Sequence, residues 1–382
     1  MTNSPPIPPP DTDIDLGPLH WAPPGPPAPV ARKRRRWLAP FLVTIAVLVV
    51  IGILAASFIT LPYYAIAPGS ARQVDDLVRV SDATKVYSHK GGVLFTTVSL
   101  YRARPLDAVQ SWWNDNIELV PEKRILGTAK PDQLNQINLQ EMTDSKQLAV
   151  AVALRRIGVK EEGSGTVVTS LGQNVAASGH LQAGDVILSI DGKPTMLSQD
   201  AVDAVRARKP GEVGVLVVRG PGSEANRTES ITFGEHPQSP GVAYLGVALS
   251  TKDSHFDIPY TVSIDSGSVG GPSAGLSFTL ELIDSLTPGE LTGGRKVAVT
   301  GTIGPDGTVG PVGGVLQKTA AVRSAGARYF LVPPDEYATA KAHAGKNLQV
   351  VKVETLEQAL TFLQSIGGDI AALGPAPAGL RR

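Results

Sequence analysis

Gly270-Gly271-Pro272-Ser273-Ala274-Gly275 is followed later in the chain by Gly313-Gly314-Val315-Leu316-Gln317-Lys318. A serine in a glycine-rich turn can serve as a nucleophile, but its hydroxyl is weak at neutral pH and needs a base. Lysine can be that base if burial strips its water and lowers its pKa. Tyr260 to Ile264 alternates like a strand. Ala274 to Leu286 reads as a helix, with Leu276, Phe278, Leu280, Leu282 and Ile283 at its apolar positions. Pro272 suits the first helical position, which puts Ser273 at a helix N-terminus. Free N–H groups and the positive dipole end lie there. The backbone N–H groups of Gly271 and Ser273 are the candidate oxyanion donors. The plainer reading is a glycine-rich turn capped by Pro-Ser.

The C-terminal third carries more of the pattern: Val299-Thr300-Gly301, then Gly307-Thr308-Val309-Gly310-Pro311-Val312-Gly313-Gly314, then Lys318. In order and spacing this resembles the proteolytic domain of Lon proteases. The resemblance implies a serine endopeptidase with Ser273 as nucleophile, Lys318 as general base and Thr300 holding the lysine. Two departures stand out. ATP-dependent Lon enzymes usually carry Lys-Asp before Gly-Pro-Ser, where this chain has Val269-Gly270. They also tend to have an acid after Thr-Gly, where this chain has Thr302. The Gly-Gly-Pro-Ser-Ala-Gly form resembles a sub-group, the membrane-anchored PDZ–Lon proteases of bacteria.

That resemblance implies an α+β fold: a Lon-type proteolytic domain with an inserted PDZ domain, preceded by one transmembrane helix. Gly92 to Tyr101 reads as a strand and Leu134 to Arg156 as a long helix ended by Gly158. Both are similar to early Lon elements, so residues 71–157 are expected to be the N-terminal part of the protease domain. Pro105 to Ile117 reads as a helix, with core packing expected for Trp112 and Trp113 and membrane contact as the alternative for Trp113. Residues 158–238 resemble a PDZ domain through Ala183-Gly184-Asp185-Val186-Ile187 and Ile190-Asp191-Gly192-Lys193. A PDZ groove binds an extended peptide as an added strand; the alternative is a bare spacer. Within this stretch, Asn174 to Gly179 reads as a short helix and Ser198 to Arg208 as a longer one. Residues 239–366 are expected to form the proteolytic core, with the chain returning to it near Gly241, and 367–382 a loose tail.

The chain has 382 residues, 42% hydrophobic and 18% charged, with no net charge. That balance gives no support for a nucleic-acid partner. Cysteine is absent, which excludes a thiol nucleophile, disulfides and thiolate metal sites. Trp37 to Leu61 carries no charged residue and is long enough for a ~30 Å hydrocarbon core. Arg32-Lys33-Arg34-Arg35-Arg36 abuts its N-terminal end. The positive-inside rule then puts residues 1–36 in the cytoplasm and the catalytic region outside, anchored in the cell membrane by residues 37–61. A cleaved signal peptide is the alternative, and the length of the run argues against it. The proline-rich tail over residues 1–36 reads as disordered, an inert leader or a ligand for a proline-reading module.

No G-x-x-x-x-G-K-[ST] phosphate loop occurs, so an ATP-independent enzyme without cofactors is expected. No His and carboxylate set has metal-ligand spacing. Two other readings remain open. Gly271 to Gly275 also fits a G-x-S-x-G nucleophile elbow, with Asp306 or Asp335 and His343 as partners. A non-catalytic PDZ receptor with a degenerate protease domain is the second. Expected partners are protein or peptide substrates and the membrane. Lon proteolytic domains often form rings, so the resemblance also allows a homo-oligomer.

Overall fold

Alternation of apolar residues builds the larger sheet. In the strand Gly92–Arg102, Val93 and Phe95 point to one face and Leu94 to the other, and all three are buried. Lys296–Val299 and Tyr329–Val332 repeat the pattern. Strands covered on both faces are the parallel kind, and these three pair in parallel, with Gln349–Lys352 at one edge. Tyr63–Gln73 and Glu118–Pro121 continue the sheet antiparallel on the other side. The computed structural model describes residues 25, 38–56, 58–82, 86–127, 129–237, 239–377 and 380. The tail expected over residues 1–36, Gly25 apart, and its basic cluster lie outside them.

Helices Pro131–Arg156, Gly275–Leu286 and Leu356–Ser365 cover one face of this sheet. Val315–Ser324 and Pro334–His343 cover the other. The 275–286 helix is buried all round, from Gly275 to Ser285. Each large apolar side chain it buries contributes about 1.5–3 kcal/mol. Strand and helix segments from 63–156 thus share one core with those that follow residue 262.

A second sheet has its own core. Its order is Asn226–Thr232, Val213–Arg219, Val186–Ile190, Thr166–Leu171, Val247–Thr251. Val168, Ile187, Ile190, Leu216, Val218, Ile231 and Phe233 fill it, beside the helix Ser198–Arg206. Ala243 and Leu245 also belong to this core, and Val247–Thr251 pairs with Thr166–Leu171. The boundary expected at 238, with a return near Gly241, therefore falls too early. The chain leaves through Glu161–Glu162 and returns through His255–Phe256, which pair antiparallel as a stalk. The short helix expected at Asn174 is a run of turns, with Asn174 itself at φ 52°. Strand Asn226–Thr232 was not anticipated, because its outward residues are polar and only Ile231 is buried.

Two further expectations fail. The helix at Pro105 stops at Gln110, and Trp112 and Trp113 are 85% and 70% exposed rather than packed in the core. Asn114 accepts from the Asn116 N–H and turns the chain away at that point. The tail expected to be loose from 367 is docked at its described residues. Leu373 and Leu380 are buried in the main core, and the buried Arg156 donates to the Leu373 carbonyl at 2.9 Å. Leu38–Ala56 forms one helix of 19 residues. Only residues 40–52 and 54 of it are described in full, and among the described residues no helix is long and apolar enough to cross a membrane.

The stalk predicts how the insertion can be cut. Replacing residues 163–253 by a short Gly-Ser linker should leave a cooperatively unfolding protein by circular dichroism. It should melt somewhat lower, because the buried Asp306 loses its ion pair with Arg206 from the inserted unit. A fragment beginning at Gly241 should not fold, since it lacks Tyr63–Gln73 and Gly92–Arg102 from the main sheet and the 131–156 helix. Cooperative melting of that fragment would show that the two cores are not nested.

Candidate active site

The serine turn is held on three sides. Ser145 on the 131–156 helix donates its hydroxyl to the Pro272 carbonyl at 3.0 Å. The Gly271 N–H donates to the Asn138 carbonyl on the same helix at 2.7 Å. The Ser273 carbonyl accepts from the Gly301 N–H at 3.0 Å and from the Thr300 hydroxyl at 3.3 Å. The helix itself starts at Gly275, later than expected: Ala274 is its N-cap, and Pro272 lies in the turn before it. Close packing requires a glycine at 275, where a Cβ would stand 2.9 Å from the Ile303 side chain.

Lys318 lies in the first turns of the 315–324 helix. Gly314 caps that helix in the left-handed region, at φ 66°, where a side chain would also collide with Val98. The lysine is 3% exposed, and its Nζ donates to the Thr300 hydroxyl at 3.1 Å. Burial pulls its pKa from 10.5 down to about 7, and the charge of Glu336 partly opposes the shift. An amine poised near neutrality can take and return a proton, as a general base must. Thr300 therefore touches both halves of the pair: it accepts from the lysine and donates to the serine's own carbonyl.

Ser273, Lys318, Gly271 and Gly314 line one cleft of about 600 Å³, with Phe95, Val98, Leu134 and Met142 among its apolar walls. Neither His343, Asp306 nor Asp335 lines it, so the described residues do not assemble the alternative elbow triad. His343 instead bonds to the Thr339 carbonyl on its own helix. A larger open hollow beside Arg323, Arg328 and Lys346 contains neither the serine nor the buried lysine. Of the expected oxyanion donors, the Ser273 N–H bonds to no described residue, whereas the Gly271 N–H is occupied by Asn138. Glu336 and Asn138 were not anticipated. Neither is near Ser273 or Lys318 in sequence, and neither carries a motif.

Residues 248–364 match the family described as the Lon protease (S16) C-terminal proteolytic domain. The Lon protease of Phenylobacterium zucineum is 34% identical over 157 residues, covering 40% of this chain and 19% of the relative. Lon protease 2 of Bacillus subtilis is 29% identical over 117 residues, 30% of this chain and 20% of the relative. A probable periplasmic serine endoprotease DegP-like of Pseudomonas fulva is 38% identical over 84 residues, 22% of this chain and 17% of the relative. The chain thus spans a fifth or less of the length of these relatives. The PDZ domain of an SdrC-like protein from Listeria monocytogenes aligns in structure with 22% of this chain and 87% of that one. It is 28% identical at a TM-score of 0.21, which carries no argument for the fold.

The lysine's charge state is directly measurable. A side-chain NMR titration should show Lys318 losing its proton near pH 7. Because its folded pKa is depressed, the unfolded chain binds the extra proton between about 7 and 10.5, and this group's contribution to stability rises with pH across that window. Glu336→Gln removes the charge that opposes the shift and should move the midpoint lower still. A midpoint near 10 in the native protein would show that Lys318 is solvated.

Proposed function

We propose that this chain is a serine endopeptidase acting through Ser273 and Lys318 and needing no ATP. The observation that carries the reading is the buried Lys318 amine, hydrogen-bonded to Thr300 in the cleft that holds Ser273. The neutral amine takes the proton as the Ser273 hydroxyl attacks a peptide carbonyl, then passes it to the leaving amine. Water hydrolyses the acyl-enzyme by the same route reversed. The Ser273 N–H meets the developing oxyanion. Gly271 completes a two-donor site once its N–H leaves Asn138. The match of residues 248–364 to a Lon proteolytic domain supports this chemistry.

The rest of the reading extends from there. The inserted unit binds extended peptide segments as a PDZ domain does and tethers substrate near Ser273 at high effective concentration. The 38–56 helix, uncharged and mostly Leu, Val, Ile, Ala and Phe, belongs to a single-pass anchor that puts the catalytic region outside the cytoplasm. The substrates are extracytoplasmic or membrane-proximal proteins.

Peptide hydrolysis by the purified full chain tests the dyad. Ser273→Ala and Lys318→Ala should each abolish turnover while leaving a cooperatively folded protein. Lys318→Arg should fail too, because a guanidinium stays protonated. Wild-type kcat/KM should rise with pH around 7, following the free amine, and ATP should leave it unchanged. Turnover surviving Lys318→Ala would sink the dyad. Topology has its own test: protease added outside spheroplasts should digest the region after Leu61 and spare a tag at residue 5, and an accessible tag would reverse the orientation.

A further inference from the structure

His89, Asp284 and Glu290 are far apart in sequence, and the fold brings them together. Ligand-type atoms of the three lie within 4.8 Å of one another. His89 sits just before the strand Gly92–Arg102. Asp284 is in the last turn of the 275–286 helix, and Glu290 is in the loop that follows. The His89 side chain is 7% exposed and that of Asp284 2%. The His89 Nε2 has no hydrogen-bond partner among the described residues, and neither has Asp284 Oδ2. His89 Nδ1 stands 3.3 Å from Asp284 Oδ1 without the geometry of a hydrogen bond. An imidazole in such surroundings normally finds a partner for each nitrogen.

The charge balance points the same way. Glu281, 1% exposed, lies one turn before Asp284 on the same helix, and its Oε2 is also without a partner. Among the described residues no lysine or arginine pairs with Glu281, Asp284 or Glu290; the ion pair recorded for Asp284 is the one with His89. Two carboxyl groups, Glu281 and Asp284, thus sit in a dry interior with a third at the rim, and His89 is the one basic side chain paired with them among the described residues. Glu290 is already oriented: its two oxygens accept from the Lys90 and Gly91 N–H groups at 2.9 and 3.0 Å. Oε1 also accepts from the Thr292 hydroxyl at 3.3 Å, which leaves Oε2 with the further lone pair. The Leu291 N–H likewise orients Asp284 Oδ1 at 2.8 Å.

We propose that His89, Asp284 and Glu290 form a binding site for a divalent transition cation of the zinc or manganese type. One imidazole nitrogen and two carboxylate oxygens favour Zn²⁺ or Mn²⁺ over Ca²⁺ or Mg²⁺, which prefer all-oxygen sets. Bond lengths of ~2.1 Å put tetrahedral ligand atoms ~3.4 Å apart, so small side-chain rotations close the set around the ion. The role is structural. The ion clamps the segment that enters the main sheet, where the Tyr87 N–H donates to the Ser285 carbonyl at 2.9 Å, onto the end of the 275–286 helix. The opposite end of that helix, roughly 14 Å away at 1.5 Å per residue, carries the Ser273 turn.

Isothermal titration of Zn²⁺ and Mn²⁺ into chelator-treated full chain tests the site independently of any peptidase activity. Wild type should bind one equivalent and melt higher with the ion. His89→Gln should weaken Kd at least tenfold and lose the melting shift. Glu290→Gln, at the half-buried rim, should also weaken Kd and serves as the second variant if His89→Gln fails to fold. The proposal is overturned if wild type binds neither ion, if Ca²⁺ binds more tightly than both, or if binding survives in the folded variants unchanged. The last result would assign the ion to exposed pairs such as His180 with Glu229 or His255 with Glu162.

Discussion

Keeping the Lys318 amine out of water is the constraint on which the site depends. An isolated buried ammonium is costly, so the group gives up its proton instead. The hydroxyl of Thr300 takes the hydrogen bond that a neutral amine can still donate. Thr300 lies just beyond the end of the central strand Lys296–Val299, and its N–H is fixed by the Leu331 carbonyl of the neighbouring strand. Its hydroxyl also reaches the Ser273 carbonyl. One side chain at a sheet end thus fixes the lysine and the serine turn together. The acid whose charge acts on Lys318 is Glu336, from a helix later in the chain.

The inserted unit is built so that its removal costs the main core little. It has a separate hydrophobic cluster, and the two chain ends meet in the short pairing of Glu161–Glu162 with His255–Phe256. Its ties to the protease core are polar. Arg206 pairs with Asp306, and Arg155 at the end of the 131–156 helix lies 2.8 Å from Glu161. Asp306 sits in the hairpin between Thr302–Ile303 and Val309–Gly310, which begins just after Thr300.

Sequence alone determined the periodic elements and the motif residues. The alternation in Gly92–Arg102 and the apolar positions of 275–286 are local patterns, and a residue's own neighbours dictate them. Ser273, Thr300 and Lys318 were legible because the motifs that carry them resemble, in order and spacing, those of Lon proteolytic domains. Tertiary structure alone decided the rest. The edge strand Val247–Thr251 belongs to the second sheet through its register with Thr166–Leu171, a pairing across some eighty residues. The final tail is held because Arg156 is buried against the Leu373 carbonyl, and Trp112 and Trp113 are exposed because the helix before them ends at Gln110. Glu336, Asn138 and the cluster of His89, Asp284 and Glu290 carry no local signal. Their chemistry comes from being brought together in a dry interior, where desolvation and proximity outweigh what any single residue prefers in the chain.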